Sequence, residues 1–193
     1  MESQLKRLLI LLLILILPGC ESRVRYMDRT PTGIEIGGYP VVIKEIPSLK
    51  YVHQQARFKK TEMKQHTQTI ATALFAHIGA MEAVNIIGPL TYVIDDLAEN
   101  RLDIVHLKIG FPVDRKPPIP ATVVEQSYME LAPFKCLTVR LPLDDRFTQT
   151  TWLRLYQAAY GEGYVPTGQG RTVITFNDTG SNYVMELQLG IKG

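Results

Sequence analysis

Few of the residues able to do chemistry stand at spacings that would let them act together. The four histidines, His53, His66, His77 and His106, form no His-x-x-x-His pair, and no cysteine or acid stands at metal-ligand spacing from them. No metal and no other cofactor is therefore expected. Asp95 and Asp96 are neighbours, so on a strand they would point to opposite faces and could not share a proton. No Gly-x-Ser-x-Gly elbow and no phosphate loop occurs, so the case for an enzyme rests on nothing local. One acid stands out by its pattern. Near the C-terminus Glu186, Gln188 and Gly190 share one face of a predicted strand, and Met185, Leu187, Leu189 and Ile191 share the other. An acid opposite the apolar face can point into a groove or to water. Tyr92, Tyr156 and Tyr160 fall on a predicted strand and helix. Packing is the usual fate of such rings, but ones with a polar tip toward a groove would suit a flat ligand.

The elements that would position these residues come in duplicate. Gly88 to Asp96 reads GPLTYVIDD and Gly170 to Asp178 reads GRTVITFND, 82 residues later. Leu107-Lys108-Ile109-Gly110-Phe111 is echoed 80 residues on by Leu187-Gln188-Leu189-Gly190-Ile191, which makes His106 the counterpart of Glu186. Ile46-Pro47-Ser48-Leu49-Lys50 is echoed by Leu131-Ala132-Pro133-Phe134-Lys135. Near-constant offsets over three segments point to an internal duplication.

Each half has the same predicted order. Val41 to Ile46 and Leu49 to Gln54 are β-prone runs interrupted by Pro47. Thr67 to Val84 carries Ile70, Leu74, Ile78 and Met81 at helical spacing. Leu90 to Ile94 and Leu102 to Val113 follow as strands. Pro117, Pro118 and Pro120 mark a linker. In the second half Val123 to Leu141 predicts a long, bent strand, and Thr148 to Tyr160 a helix ended by Gly161 and Gly163. Arg171 to Phe176 and Tyr183 to Ile191 close the chain as strands. The fold class is α+β: two βαββ repeats, residues 41–114 and 121–193, related by a pseudo-twofold axis.

A chain of 193 residues with 46% hydrophobic and 21% charged residues reads as an ordinary globular protein, and its net charge of +2 gives no reason to expect nucleic acid. The N-terminus reads as an address. Lys6-Arg7 precede ten consecutive Leu and Ile residues, Leu8 to Leu17, which suits a signal segment better than a spanning helix of roughly 20 residues. Residues 20–40, broken by Pro31, Gly33, Gly37 and Gly38, read as a tether reaching roughly 25 Å. Of the two cysteines, Cys20 and Cys136, the second lies in an apolar strand-like run and reads as a buried, inert thiol.

Leu17-Pro18-Gly19-Cys20 resembles the lipobox of bacterial lipoproteins. The resemblance implies cleavage of residues 1–19, lipidation of Cys20, and a place in the bacterial cell envelope facing the periplasm or exterior. Several acyl chains at about 0.8 kcal/mol per buried CH₂ would anchor such a chain stably. From residue 41 on, the ordered set Ile46-Pro47, Gly88-Pro89, Ile109-Gly110-Phe111-Pro112-Val113, Leu131-Ala132-Pro133, Gly163-Tyr164-Val165-Pro166 and Met185-Glu186-Leu187-Gln188-Leu189 resembles the GyrI-like small-molecule-binding domain, the effector domain of multidrug-responsive regulators. That resemblance implies an antiparallel, concave sheet with two helices on one face and a ligand in the groove between repeats. In drug-sensing relatives aromatic rings sandwich a flat ligand and a buried carboxylate neutralises its charge. Glu186 matches the acid of the closing strand; Arg171-Thr172-Val173-Ile174 lacks the acid and Tyr of an earlier one.

The expected function is a membrane-tethered lipoprotein binding a small, largely apolar molecule, neutral or cationic, with Glu186, Tyr92, Tyr156, Tyr160 and His106 as candidate ligand-binding residues. Two rivals stay open: an envelope protein whose groove takes a peptide or protein partner, and a hydrolase of small electrophilic compounds. The expected partners are the membrane, through the Cys20 lipid, and the small-molecule ligand.

Overall fold

The computed structural model describes residues 27–81, 83–98, 103–118, 126–143, 148–176 and 183–192; Cys20 and the lipobox-like segment lie outside them. The described elements are β1 (Met27–Ile36), β2 (Tyr39–Ile46), β3 (Leu49–Lys59), α1 (Met63–Gly79), β4 (Leu90–Ile94), β5 (Ile104–Val113), β6 (Gln126–Leu131), β7 (Phe134–Pro142), α2 (Thr148–Gly161), β8 (Val165–Phe176) and β9 (Tyr183–Lys192). The strands form one nine-stranded sheet in the order β1-β2-β7-β9-β8-β4-β5-β3-β6, antiparallel throughout.

Setting β1 aside, the order is symmetric about the β8–β4 contact, as two repeats related by a pseudo-twofold require. Each repeat has lent its first strand to the other: β2 pairs with β7 of the second half, and β6 with β3 of the first. The cause is a corner in each long strand. Pro47 and Pro133 interrupt β2–β3 and β6–β7, as a residue without a backbone N–H does in a ladder. The register nonetheless runs unbroken through both corners: Ile46 pairs with Phe134, and three residues further Leu49 pairs with Leu131. This shared ladder joins the outer strands of the central six, β3 and β7, and so curls the sheet around its concave face.

The helices cover the other face. α1 buries Thr67, Ile70, Leu74 and Ile78, spaced by three, four and four, and α2 buries Thr151, Leu155, Ala158 and Ala159. They pack on Tyr92, Leu107, Ile109, Leu187 and Leu189 in one apolar core. At about 1.5–3 kcal/mol for each fully buried large side chain, this layer is the main stabilising term. α2 ends as expected: Tyr164 N–H bonds the Ala159 carbonyl at 2.8 Å, and Gly163 takes a φ of 79°.

The segment expected as a tether differs from Met27 onward. Met27–Ile36 is an edge strand, joined to β2 by Gly37 and Gly38 at φ 63° and 82°. Two positive φ values in a two-residue loop define the turn that suits a right-twisted hairpin. Thr32, Ile34 and Ile36 lie toward the core while Pro31, Gly33 and Glu35 are exposed. Pro31 is tolerated because β1 pairs on one side only. Among the described residues no helix is long and apolar enough to cross a membrane.

Candidate functional site

The concave face carries neither α1 nor α2, and it is unusual in burying charge. Lys44 on β2 is 1% exposed, Gln188 and Glu186 on β9 are 1% and 5%, and Arg171 on β8 is 2%. Register puts Thr138, Gln188, Arg171, Val93 and Lys108 in one row across five strands. Arg140, Glu186, Val173, Thr91, Gly110 and His53 form the next. Two small apolar clusters adjoin these rows, Ile46-Phe134-Cys136 and Tyr51-Val93-Leu131, the second sharing Val93 with the first row, with Leu49 against both.

Glu186 does face away from the helix-side core, as its alternation predicts, but its carboxylate is already engaged. Lys44 Nζ lies 2.7 Å from Oε2, Gln188 Nε2 donates to Oε1 at 2.7 Å, and Arg140 Nε stands 3.8 Å from Oε2. Lys44 was missed from the sequence, although a lone lysine facing inward from Val41-Val42-Ile43-Lys44-Glu45-Ile46 is itself a signal. An ion pair out of water requires close geometry and further hydrogen bonds to offset desolvation, and Gln188 supplies one.

The neighbouring groups are held by short polar contacts. Tyr51 Oη donates to the Thr91 carbonyl at 2.6 Å, with the Lys108 carbonyl a second acceptor at 2.9 Å, and burial raises its pKa well above the usual phenol range. The His53 ring stacks on Tyr51 at 5.4 Å, and burial, followed by the charge of Lys108, pushes its pKa down to about 4. The Arg171 guanidinium sits 4.0 Å from the centre of the Phe134 ring and donates to the Ala132 carbonyl at 3.4 Å. Cys136 is fully buried, with its pKa pushed up to about 12 by desolvation, so its thiol is inert at neutral pH.

The sequence-predicted residues do not converge on one groove. Tyr92 belongs to the helix-side core and bonds Thr67 of α1. Tyr156 is half-buried against the same core, and Tyr160 is 65% exposed on α2. All three are on the opposite side of the sheet from Glu186: Tyr92 by its parity along β4, and Tyr156 and Tyr160 because α2 packs on that side. His106 is on the concave side at the end of β5. There it lines a small cavity of about 90 Å³ with Gln55, Val93, Asp95 and Lys108, whose ammonium donates to Asp95 Oδ2. That volume is below the ~300 Å³ of an ordinary small-molecule pocket. Among the described residues no cluster of three or more His, Cys, Asp or Glu could hold a metal ion.

A carboxylate and a tyrosine within hydrogen-bond reach, a pairing that general acid–base catalysis can use, occur away from this face. Tyr128 Oη donates to Glu130 Oε1 at 3.0 Å on edge strand β6, where the contact accompanies a raised phenol pKa, the wrong direction for a base.

No protein-family model and no curated protein matches this sequence. Solved structures do. The C-terminal domain of EcmrR superposes with a TM-score of 0.65 at 14% identity, over 80% of this chain and 98% of that one. EcmrR in its complex with DNA gives 0.67 at 12% identity over 80% of this chain, which spans only 57% of the EcmrR chain. SAV2435 bound to tetraphenylphosphonium gives 0.50 at 15% identity, over 78% and 93%. A hydrolase encoded by lin2189 from Listeria innocua gives 0.51 at 10% identity, over 79% and 91%. At these identities the likeness is one of fold: an α+β architecture with a nine-stranded antiparallel sheet and two helices, consistent with the GyrI-like fold.

Proposed function

We propose that this chain binds a small molecule at the concave face of its sheet, and that a lipid on Cys20 tethers it in the bacterial envelope. The observation that carries the first part is the buried polar cluster of Lys44, Arg171, Glu186 and Gln188 on a face that no helix among the described residues covers. Apolar residues of similar volume would serve stability as well or better, so buried charge there fits a role other than stability. The fold shared with the EcmrR C-terminal domain, and with a SAV2435 structure that holds tetraphenylphosphonium, supports the same reading. The tether rests on Leu17-Pro18-Gly19-Cys20 after the ten-residue apolar run. From Met27 on the chain is paired in β1, so the domain begins at most seven residues after Cys20.

A thermal-shift screen of chemically diverse small molecules against the full-length protein in detergent tests the first part. Binding at tenfold over Kd should raise Tm by about 3–6 °C for a domain of this size. A library-wide absence of shifts would move the function to the partner-binding rival.

A further inference from the structure

We infer that Lys44 occupies, from within the chain, the place on the concave face that a cationic ligand would take, so that the site excludes cations and selects hydrogen-bond-donating ligands that carry no positive charge. This deepens the proposed small-molecule reading and rests on it. A buried carboxylate is costly unless a cation shares its site. Here the cation is the Lys44 ammonium, 2.7 Å from Glu186 Oε2 with both side chains buried. A second cation brought to the same carboxylate would meet the ammonium at close range in a medium of low dielectric, where like charges repel strongly.

Gln188 indicates what the site has left to offer. An ionised carboxylate only accepts hydrogen bonds, so the amide nitrogen of Gln188 must be the atom that faces Glu186 Oε1. Its Oε1 is thereby turned away, and among the described residues this buried acceptor has no donor. A neutral hydroxyl or amide N–H would satisfy it without disturbing the ion pair. The two observations agree on ligand class: the charge of Glu186 is already matched by Lys44, with Arg140 and Arg171 as further cations nearby, and Gln188 Oε1 wants a donor.

The test replaces the internal cation by an external one. Lys44→Ala removes the ammonium and leaves room for a small alkylammonium. Thermal unfolding of the full-length protein in detergent should then show a Tm rise of about 3–6 °C with n-propylammonium, which replaces the atoms removed, at tenfold over Kd in Lys44→Ala, and none with the same amine in wild type. Lys44→Ala/Glu186→Gln should not respond to the amine. Wild type should ignore tetraphenylphosphonium as well. Should Lys44→Ala fail to fold alone, recovery of its circular dichroism on refolding with n-propylammonium supports the inference, and no recovery overturns it. A folded Lys44→Ala that ignores the amine overturns it too. So does wild-type protein stabilised by tetraphenylphosphonium with the effect lost in Glu186→Gln, a result that would leave the small-molecule reading standing. The library screen judges that broader reading separately, whichever way the amine experiment falls.

Discussion

Lys44 Nζ and Glu186 Oε2 lie 2.7 Å apart, and the two residues come from different repeats: the lysine from the strand the first repeat lends to the second, the glutamate from the closing strand of the second. The pair therefore links the exchanged strand to the body of the sheet. Removing either partner alone leaves a buried charge, at a cost of about 3–5 kcal/mol, whereas removing both is often near neutral. In urea unfolding, Lys44→Met and Glu186→Leu should each lose that much stability, and the double variant should lose less than either. Additive losses would mean that the two charges do not depend on each other.

The buried His53 sets a pH dependence. Its pKa falls from 6.5 unfolded to about 4 folded, chiefly by desolvation. The unfolded chain then binds a proton that the folded imidazole refuses, so this contribution is complete above about pH 6.5 and is lost as pH falls toward 4. Its full size is on the order of 3 kcal/mol. His53→Gln should flatten stability across that window in denaturant titrations at pH 4.5 and 7.5. An unchanged slope would place the titration on another group.

Gly110 and Gly190, the matched glycines of the repeat, both stand where strands approach too closely for a side chain. A Cβ on Gly110 would lie 1.9 Å from the Val52 carbonyl oxygen, and one on Gly190 would lie 2.4 Å from Thr167 Oγ1 and 2.7 Å from the Phe134 ring. Gly110→Ala meets backbone, which cannot rotate away, and should cost about 3 kcal/mol or more. Gly190→Ala meets side chains and should cost less. Calorimetric Tm values for the two variants check the order.

Those glycines also show why the duplication could be read from the sequence: each is demanded by a local close approach at the matching place in its repeat, although the atoms met differ. The corners were legible for a similar reason, since Pro47 and Pro133 cannot continue a ladder. The strand β1 was not read, because Pro31, Gly33 and the Gly37-Gly38 pair look like a broken tether; the period-two alternation of Thr32, Ile34 and Ile36 was the available signal. Half of the candidate site was legible. The facing of Glu186 followed from strand alternation. Its partner Lys44 is 142 residues away, and only the exchange of first strands brings it near. The tyrosines were misplaced because strand and helix faces follow from packing that residue type alone does not encode.

The two cysteines should behave oppositely. Cys136 is fully buried with a raised pKa, so a thiol reagent at pH 8 should label it only on unfolding. Rapid labelling of native protein would mean that the concave face opens readily. Cys20→Ser should abolish incorporation of labelled fatty acid in a bacterial host and leave an uncleaved precursor; continued incorporation would remove the lipoprotein proposal.

The central claim is that ligand binds on the concave face. The most direct measurement is amide chemical-shift mapping of isotope-labelled protein with a compound that the thermal-shift screen selects. The account predicts that the largest changes fall on Lys44, Thr138, Arg171, Glu186 and Gln188. Changes confined to α2 around Tyr156 and Tyr160, with the concave-face amides unmoved, would contradict it.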